Sequence, residues 1–165
     1  MHTWITAFLA LWLLSGPGHS ETLFRLPGTV TRVVDGDTVV VEAQGAVHRV
    51  RLAGIDAPEK NQPWGEAATR ELRRMVVGRP VVVDWYKRDQ WQRLIGVVRL
   101  NGEDMNLHMV DRGMAWHFKR YTAEQAPGDR ELYAAAETLA RIERRGLWSD
   151  PDPIPPWEWR RGVRP

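Results

Sequence analysis

The stretch Thr29–Ile55, where short Val-rich runs alternate with glycine turns, restricts the possible folds more than any other part of the chain. The runs TVTRVV, TVVVEA and VHRVRLAGI are separated by Asp35-Gly36-Asp37 and by Gln44-Gly45. β-Branched residues suit a pleated, half-buried surface, and such dipeptides form the tight turns that join antiparallel strands. The segment therefore predicts three consecutive antiparallel strands. Gly65–Val77 changes period: Ala68, Leu72, Met75 and Val76 fall on one face of a helix that Gly78 stops. Pro80–Lys87 and Leu94–Leu100 supply two more strands, and Met105–Arg112 a short helix ended by Gly113. Asp129–Arg145 predicts a longer amphipathic helix, with Leu132, Ala135, Leu139 and Ile142 as its apolar face and Gly146 as its C-cap. Five short strands with a helix between the third and fourth predict an α+β fold, a five-stranded OB-type Greek-key β-barrel with three packed helices. The 165 residues suit one such domain.

The two ends differ from this body. Trp4–Leu14 is an uncharged, mostly apolar run, broken by Gly16-Pro17-Gly18. Gly18 and Ser20 are small residues at −3 and −1 of a cut before Glu21, so Met1–Ser20 reads as a signal peptide. Its apolar run is shorter than the roughly 20 residues that span a bilayer. Its n-region lacks Lys and Arg, which leaves an uncleaved anchor or a misplaced start as the alternative. Export to the medium or periplasm follows, with no stable membrane association after cleavage. The organisation is then a signal at 1–20, an extension at 21–28, a main domain at 29–149 and a Pro/Trp/Arg-rich tail at 150–165. With no cysteine, disulfides, zinc–thiolate sites and cysteine nucleophiles are excluded. A net charge of +2 does not by itself predict a polyanionic ligand. Only Lys60, Lys87 and Lys119 among the 23 basic residues are lysines, which leaves 20 arginines. Arginine grips phosphate through a planar fork that lysine lacks.

Asp35-Gly36-Asp37-Thr38 and Asp56-Ala57-Pro58-Glu59 each end a strand with two acids. Taken singly, the first is an ordinary hairpin turn and the second a solvated loop. In a three-stranded meander, however, the turn after the first strand and the end of the third lie at one edge, so Asp37 and Asp56 can converge. Two carboxylates, a main-chain carbonyl and water make a hard-oxygen site suited to Ca²⁺ or Mg²⁺. The five histidines, His2, His19, His48, His108 and His117, show no ligand-like spacing. Arg51 lies on the strand that delivers Asp56, and Arg93 opens the fifth strand. Both can neutralise a phosphate as it gains charge, and Glu59 is placed to take a proton from water.

The ordered set VDGDTV, RLAGIDAPE and QRL, followed by MNLHMVDRGMAW and RRGLW, resembles the staphylococcal nuclease (thermonuclease) family over about Thr29 to Trp148. The resemblance implies a Ca²⁺-dependent endonuclease acting on DNA and/or RNA with low sequence specificity, as a monomer. It implies Asp37 and Asp56 as Ca²⁺ carboxylates, the Ala57 carbonyl as a third ligand and Asp35 as a supporting acid. Arg51 and Arg93 become phosphate clamps, Glu59 the general base and Tyr121 a ring that stacks on the nucleotide. Ala57 stands where many members have Thr, a change a main-chain ligand tolerates. Trp91-Gln92-Arg93 stands where Tyr-Gly-Arg is common, so the aim of Arg93 is open. A non-catalytic nucleic-acid-binding module on the same barrel is the alternative, and a Ca²⁺-dependent adhesion domain leaves Arg51, Glu59 and Arg93 without a purpose. The tail's tryptophans close over the barrel or its basic end touches substrate; the sequence does not choose.

Overall fold

The structure, a computed structural model, describes residues 23–165. The expected signal segment and its cut before Glu21 lie outside the described residues. The first strand, β1 (Phe24–Asp35), serves two sides of the barrel. Its first half pairs antiparallel with β5 (Pro80–Arg88) and its second half with β2 (Thr38–Ala43). Register shifts between Val30 and Arg32 and between Val33 and Asp35 interrupt the second pairing, and irregularities of that kind bend a strand. Residues 24–28, which the sequence assigns to an extension, are the start of this strand.

β2 turns through Gln44 and Gly45, at φ 53° and 77°, into antiparallel β3 (Ala46–Leu52). That turn is the left-handed pair that matches strand twist. β5 pairs antiparallel with β6 (Leu94–Leu100), and β6 returns to β3 in a short parallel pairing from Val50–Leu94 to Leu52–Gly96. The five strands thus close into the OB-type barrel. β7 (Glu103–Asp104) adds a two-residue edge to β6.

Val30, Val39, Val41, Val50, Leu52, Val83, Leu94 and Val98 fill the interior at 0–1% exposure. Each contributes about 1.5–3 kcal/mol relative to staying in water. Helix α1 (Gly65–Val76) buries Ala68, Leu72, Met75 and Val76, the face its spacing predicts. Helix α2 (Met105–Asp111) carries Asn106, which is fully buried. Its amide donates to the Ala53 and Gly96 carbonyls at 3.0 and 3.1 Å, and its Oδ1 accepts from the Val98 amide at 3.1 Å. This one side chain pins the segment leading to Asp56 against β6.

Helix α3 (Pro127–Ile142) presents a different face from the one expected. Tyr133, Glu137 and Ala140 turn inward, while Leu132, Leu139 and Ile142 are 56%, 43% and 72% exposed. Two polar side chains of the helix fix the rotation: Tyr133 donates to Asp104 at 2.8 Å, and Glu137 accepts from the His117 amide at 3.1 Å and pairs with Lys119. A second small sheet pairs β4 (Ile55–Asp56) with β8 (Trp116–His117), setting Asp56 opposite Trp116. Beyond it, Trp116, Trp148, Leu147 and Ala140 form a separate apolar cluster under Trp64 and Trp157. The tail ends in α4 (Pro156–Trp159), a fourth, one-turn helix beyond the three expected.

Candidate active site

At the edge where the β1–β2 turn meets the end of β4 lies a cleft of about 320 Å³. Asp35, Asp37, Arg51, Asp56, Ala57, Glu59 and Arg93 all line it. Its hub is the Arg51 guanidinium. Nη1 donates to the Leu52 and Ile55 carbonyls at 2.8 and 2.9 Å, which locks the group in place. Nη2 lies 3.0 Å from Asp37 Oδ2 and 3.0 Å from Asp56 Oδ1. Two acids 19 residues apart in sequence therefore share one nitrogen.

The turn is shaped to allow this. A Cβ on Gly36 would lie 2.6 Å from the Ala57 Cβ and 2.8 Å from the Ala68 Cβ. Gly36 is thus required by space rather than by a left-handed conformation. Ala57 packs close enough for its amide to donate to Asp37 Oδ2 at 2.8 Å. Burial pushes the Asp37 carboxyl up to about 7; Arg51 opposes this, and the neighbouring Asp35 and Asp56 add to it. Asp35 also accepts from the Asp37 amide at 3.2 Å.

Glu59 follows on a loop closed by Gln62, whose Oε1 accepts from the Glu59 backbone amide at 3.0 Å and whose backbone amide donates to the Glu59 carbonyl at 2.9 Å. Arg93 is held by Asp89, which accepts from its backbone amide at 2.9 Å and from Nε at 2.7 Å. Gln92 adopts φ 61°, the left-handed conformation that a glycine takes without strain. The chain keeps the glycine-like backbone without the glycine, and Arg93 still faces the cleft. Tyr121 is not among the lining residues. It sits on a short 3₁₀ turn, 47% exposed, with its ring 5.4 Å from that of Phe118, which does line the cleft. His117 is buried against Gln125, and His48 and His108 lie outside the cleft.

One lining residue escapes the sequence reading. Arg160, in the tail, sends Nη2 to Asp56 Oδ2 at 2.7 Å and Nη1 to Glu59 Oε1 at 2.6 Å and Asp56 Oδ1 at 3.3 Å. Burial works against its charge, but the hydrogen bonds to Asp56 and Glu59 outweigh it and hold its pKa above the usual arginine value. The only signal was the basic pair Arg160-Arg161 after two tryptophans, which carries no spacing to the acids.

Among the described residues no group of three or more His, Asp or Glu side chains converges as a metal cluster. The donor chemistry is instead two buried carboxylates beside main chain, with no imidazole or thiolate. By residue type that set suits a hard cation that completes its shell with carbonyl and water oxygens, as Ca²⁺ and Mg²⁺ do, and not zinc. Both Asp56 oxygens are bonded to Arg160 here, so a cation at this place shares them with that guanidinium or displaces it.

The family model described as staphylococcal nuclease homologue matches residues 49–150. An "Uncharacterized endonuclease" of Escherichia coli O157:H7 is 40% identical over 134 residues, covering 81% of this chain and 84% of its own. "Protein ParB" of Escherichia coli is 40% identical over 164 residues, covering 94% and 88%. "Micrococcal nuclease" of Shigella flexneri is 38% identical over 146 residues, covering 83% and 82%.

Proposed function

The chain belongs to the staphylococcal nuclease homologue family, and on that premise we propose that it is an exported, Ca²⁺-dependent nuclease that hydrolyses phosphodiester bonds of DNA and/or RNA with low sequence specificity. The observation that carries this reading is the shared Arg51 nitrogen, which draws Asp37 and Asp56 together in a cleft that also holds Glu59 and Arg93. A non-catalytic binding module needs no buried pair of acids facing its polyanion.

In this reading Asp37, Asp56 and the Ala57 carbonyl hold the cation, which when bound neutralises a phosphate oxygen. Glu59 takes a proton from the attacking water as the new P–O bond forms, and the ester oxygen leaves as the old P–O bond breaks, taking a proton from solvent to become the alcohol. Arg51 and Arg93 face the same phosphate; the terminal nitrogens of Arg93 have no hydrogen-bond partner among the described residues. A pre-formed array of cations aimed at growing charge is worth more in the transition state than in the ground state. Absence of a base-reading motif leaves backbone contacts to supply most of the binding. Tyr121 is proposed as a stacking ring beside Phe118 rather than as part of the cleft wall.

Incubation of plasmid and single-stranded DNA with the purified protein tests the reading. Cleavage with Ca²⁺, its loss in excess chelator, and inactivity of a folded Asp37→Ala variant are expected. Full activity in chelator or in the variant removes the metal from the mechanism. For export, mass spectrometry of secreted or periplasmic protein is expected to give an N-terminus at Glu21, whereas intact Met1 in the membrane fraction makes the segment an anchor.

A further inference from the structure

The C-terminal tail is bonded to the Glu59 loop at four successive points. Trp64 Nε1 donates to Asp150 Oδ2 at 2.9 Å, and Gln62 Nε2 donates to the Ile154 carbonyl at 2.6 Å. Trp159 Nε1 donates to Asn61 Oδ1 at 3.2 Å, and Arg160 Nη1 to Glu59 Oε1 at 2.6 Å. As the loop runs back from 64 to 59, the tail advances from 150 to 160, so the two segments lie antiparallel in one register. Pro151, Pro153, Pro155 and Pro156 limit the tail's alternatives before it docks. Trp157 lies edge-on to Trp116 at 5.4 Å and against Phe118 at 5.5 Å, and Trp159 is buried under the Arg164 guanidinium at 3.8 Å.

What this register delivers is a single guanidinium between two carboxylates of the cleft. Glu59 sits on a loop with its side chain 39% exposed, and a glutamate so placed has several rotamers. A general base works only within hydrogen-bond reach of its proton, and small misplacements are costly. Arg160 takes Oε1 and leaves Oε2 without a partner among the described residues. Its other contacts fix that carboxylate relative to Asp56.

We infer that Arg160, supplied in cis by the C-terminal tail, is a positioning residue of the catalytic cleft that holds the Glu59 carboxylate in register with Asp56. The inference rests on the nuclease reading above. The tail is thereby a working part of the enzyme rather than an appendage.

The test is steady-state cleavage of single-stranded DNA at saturating Ca²⁺ by the full chain and its Arg160→Ala, Arg160→Gln and Arg160→Lys variants. Loss of a residue that orients a site carboxylate is expected to lower kcat by about 10–100-fold, with KM within about threefold of the wild type. Lysine restores the charge but not the fork, so recovery is partial. Added guanidinium is expected to raise kcat of Arg160→Ala, which it would not do for a variant that had lost its structure. Binding of a labelled, uncleavable phosphorothioate strand, read by fluorescence anisotropy, stays unchanged. Unchanged tryptophan emission shows the tail still docked. Unaltered kcat, a raised KM at constant kcat, or higher activity in the variants each overturns the inference while wild-type cleavage leaves the nuclease reading standing. A wild-type protein that cuts nothing overturns both.

Discussion

At the scale of single residues, the site turns on how many groups one side chain can satisfy. Arg51 reaches two carbonyls and two carboxylates at 2.8–3.0 Å, a set that needs a planar fork with several donors. A lysine keeps the charge but ends in one nitrogen. Arg51→Lys is therefore expected to lose at least about 10²-fold in turnover, the range seen when a transition-state donor is removed. Steady-state kinetics on single-stranded DNA with saturating Ca²⁺ decides: a raised KM at constant turnover makes Arg51 an ordinary backbone-binding residue. That Asp37, Arg51, Asp56 and Glu59 would meet at one edge was legible in the sequence, because all lie within two short motifs around neighbouring strands. Arg160 was not, because it is 104 residues from Asp56 and no periodicity links them. Gln92 was legible as a departure, but its left-handed backbone was not, because a glutamine carries no preference for that conformation.

At the scale of elements, the first turn of α1 controls where Glu59 can be. Gly65 starts that helix, and a Cβ there would lie 1.8 Å from the Glu59 carbonyl oxygen and 2.7 Å from its carbon. Neither atom can yield without moving the loop. The same backbone run is tied by Gln62 to Ile154 and by Asn61 to Trp159, so the tail shifts with it. Gly65→Ala is thus expected to fold, since α1 retains its buried face, yet to lose turnover by tenfold or more. A variant with wild-type kcat and unchanged melting temperature shows that the loop adapts and places no constraint on Glu59. α1 was readable because its apolar spacing is also its buried face. α3 was readable as a helix but not in its rotation: Glu137 and Tyr133 are drawn inward by the His117 amide and Asp104, and hydrophobic spacing carries no trace of such polar partners. The barrel strands followed their Val-rich patterning, while the parallel closure of β3 on β6 is a long-range pairing that local sequence does not announce.

At the scale of the whole molecule, the cleft is assembled from the β1–β2 turn, the end of β4, the start of β6 and the tail, so it exists only in the folded chain. Asp37 and Asp56 are buried near each other and near Asp35, and the burial and repulsion felt by Asp37 make its charge a cost to the fold. A cation held by these acids in the native state alone must stabilise folding, by about 2.7 kcal/mol at a hundred times its dissociation constant. For a domain of this size that corresponds to a rise in Tm on the order of 5–10 °C. The measurement is thermal unfolding of the wild type and Asp37→Ala, each with chelator and with Ca²⁺, at pH 8, where Asp37 is ionised despite its shift to about 7. The wild type is expected to gain stability with Ca²⁺ and the variant to gain almost none. In chelator the variant is expected to be at least as stable as the wild type, because it no longer buries that charge. An equal Ca²⁺ shift in both proteins would place the cation elsewhere. A variant much less stable in chelator would mean that the ion pair of Asp37 with Arg51 outweighs the burial of its charge, and that this acid holds the barrel edge together before any metal arrives.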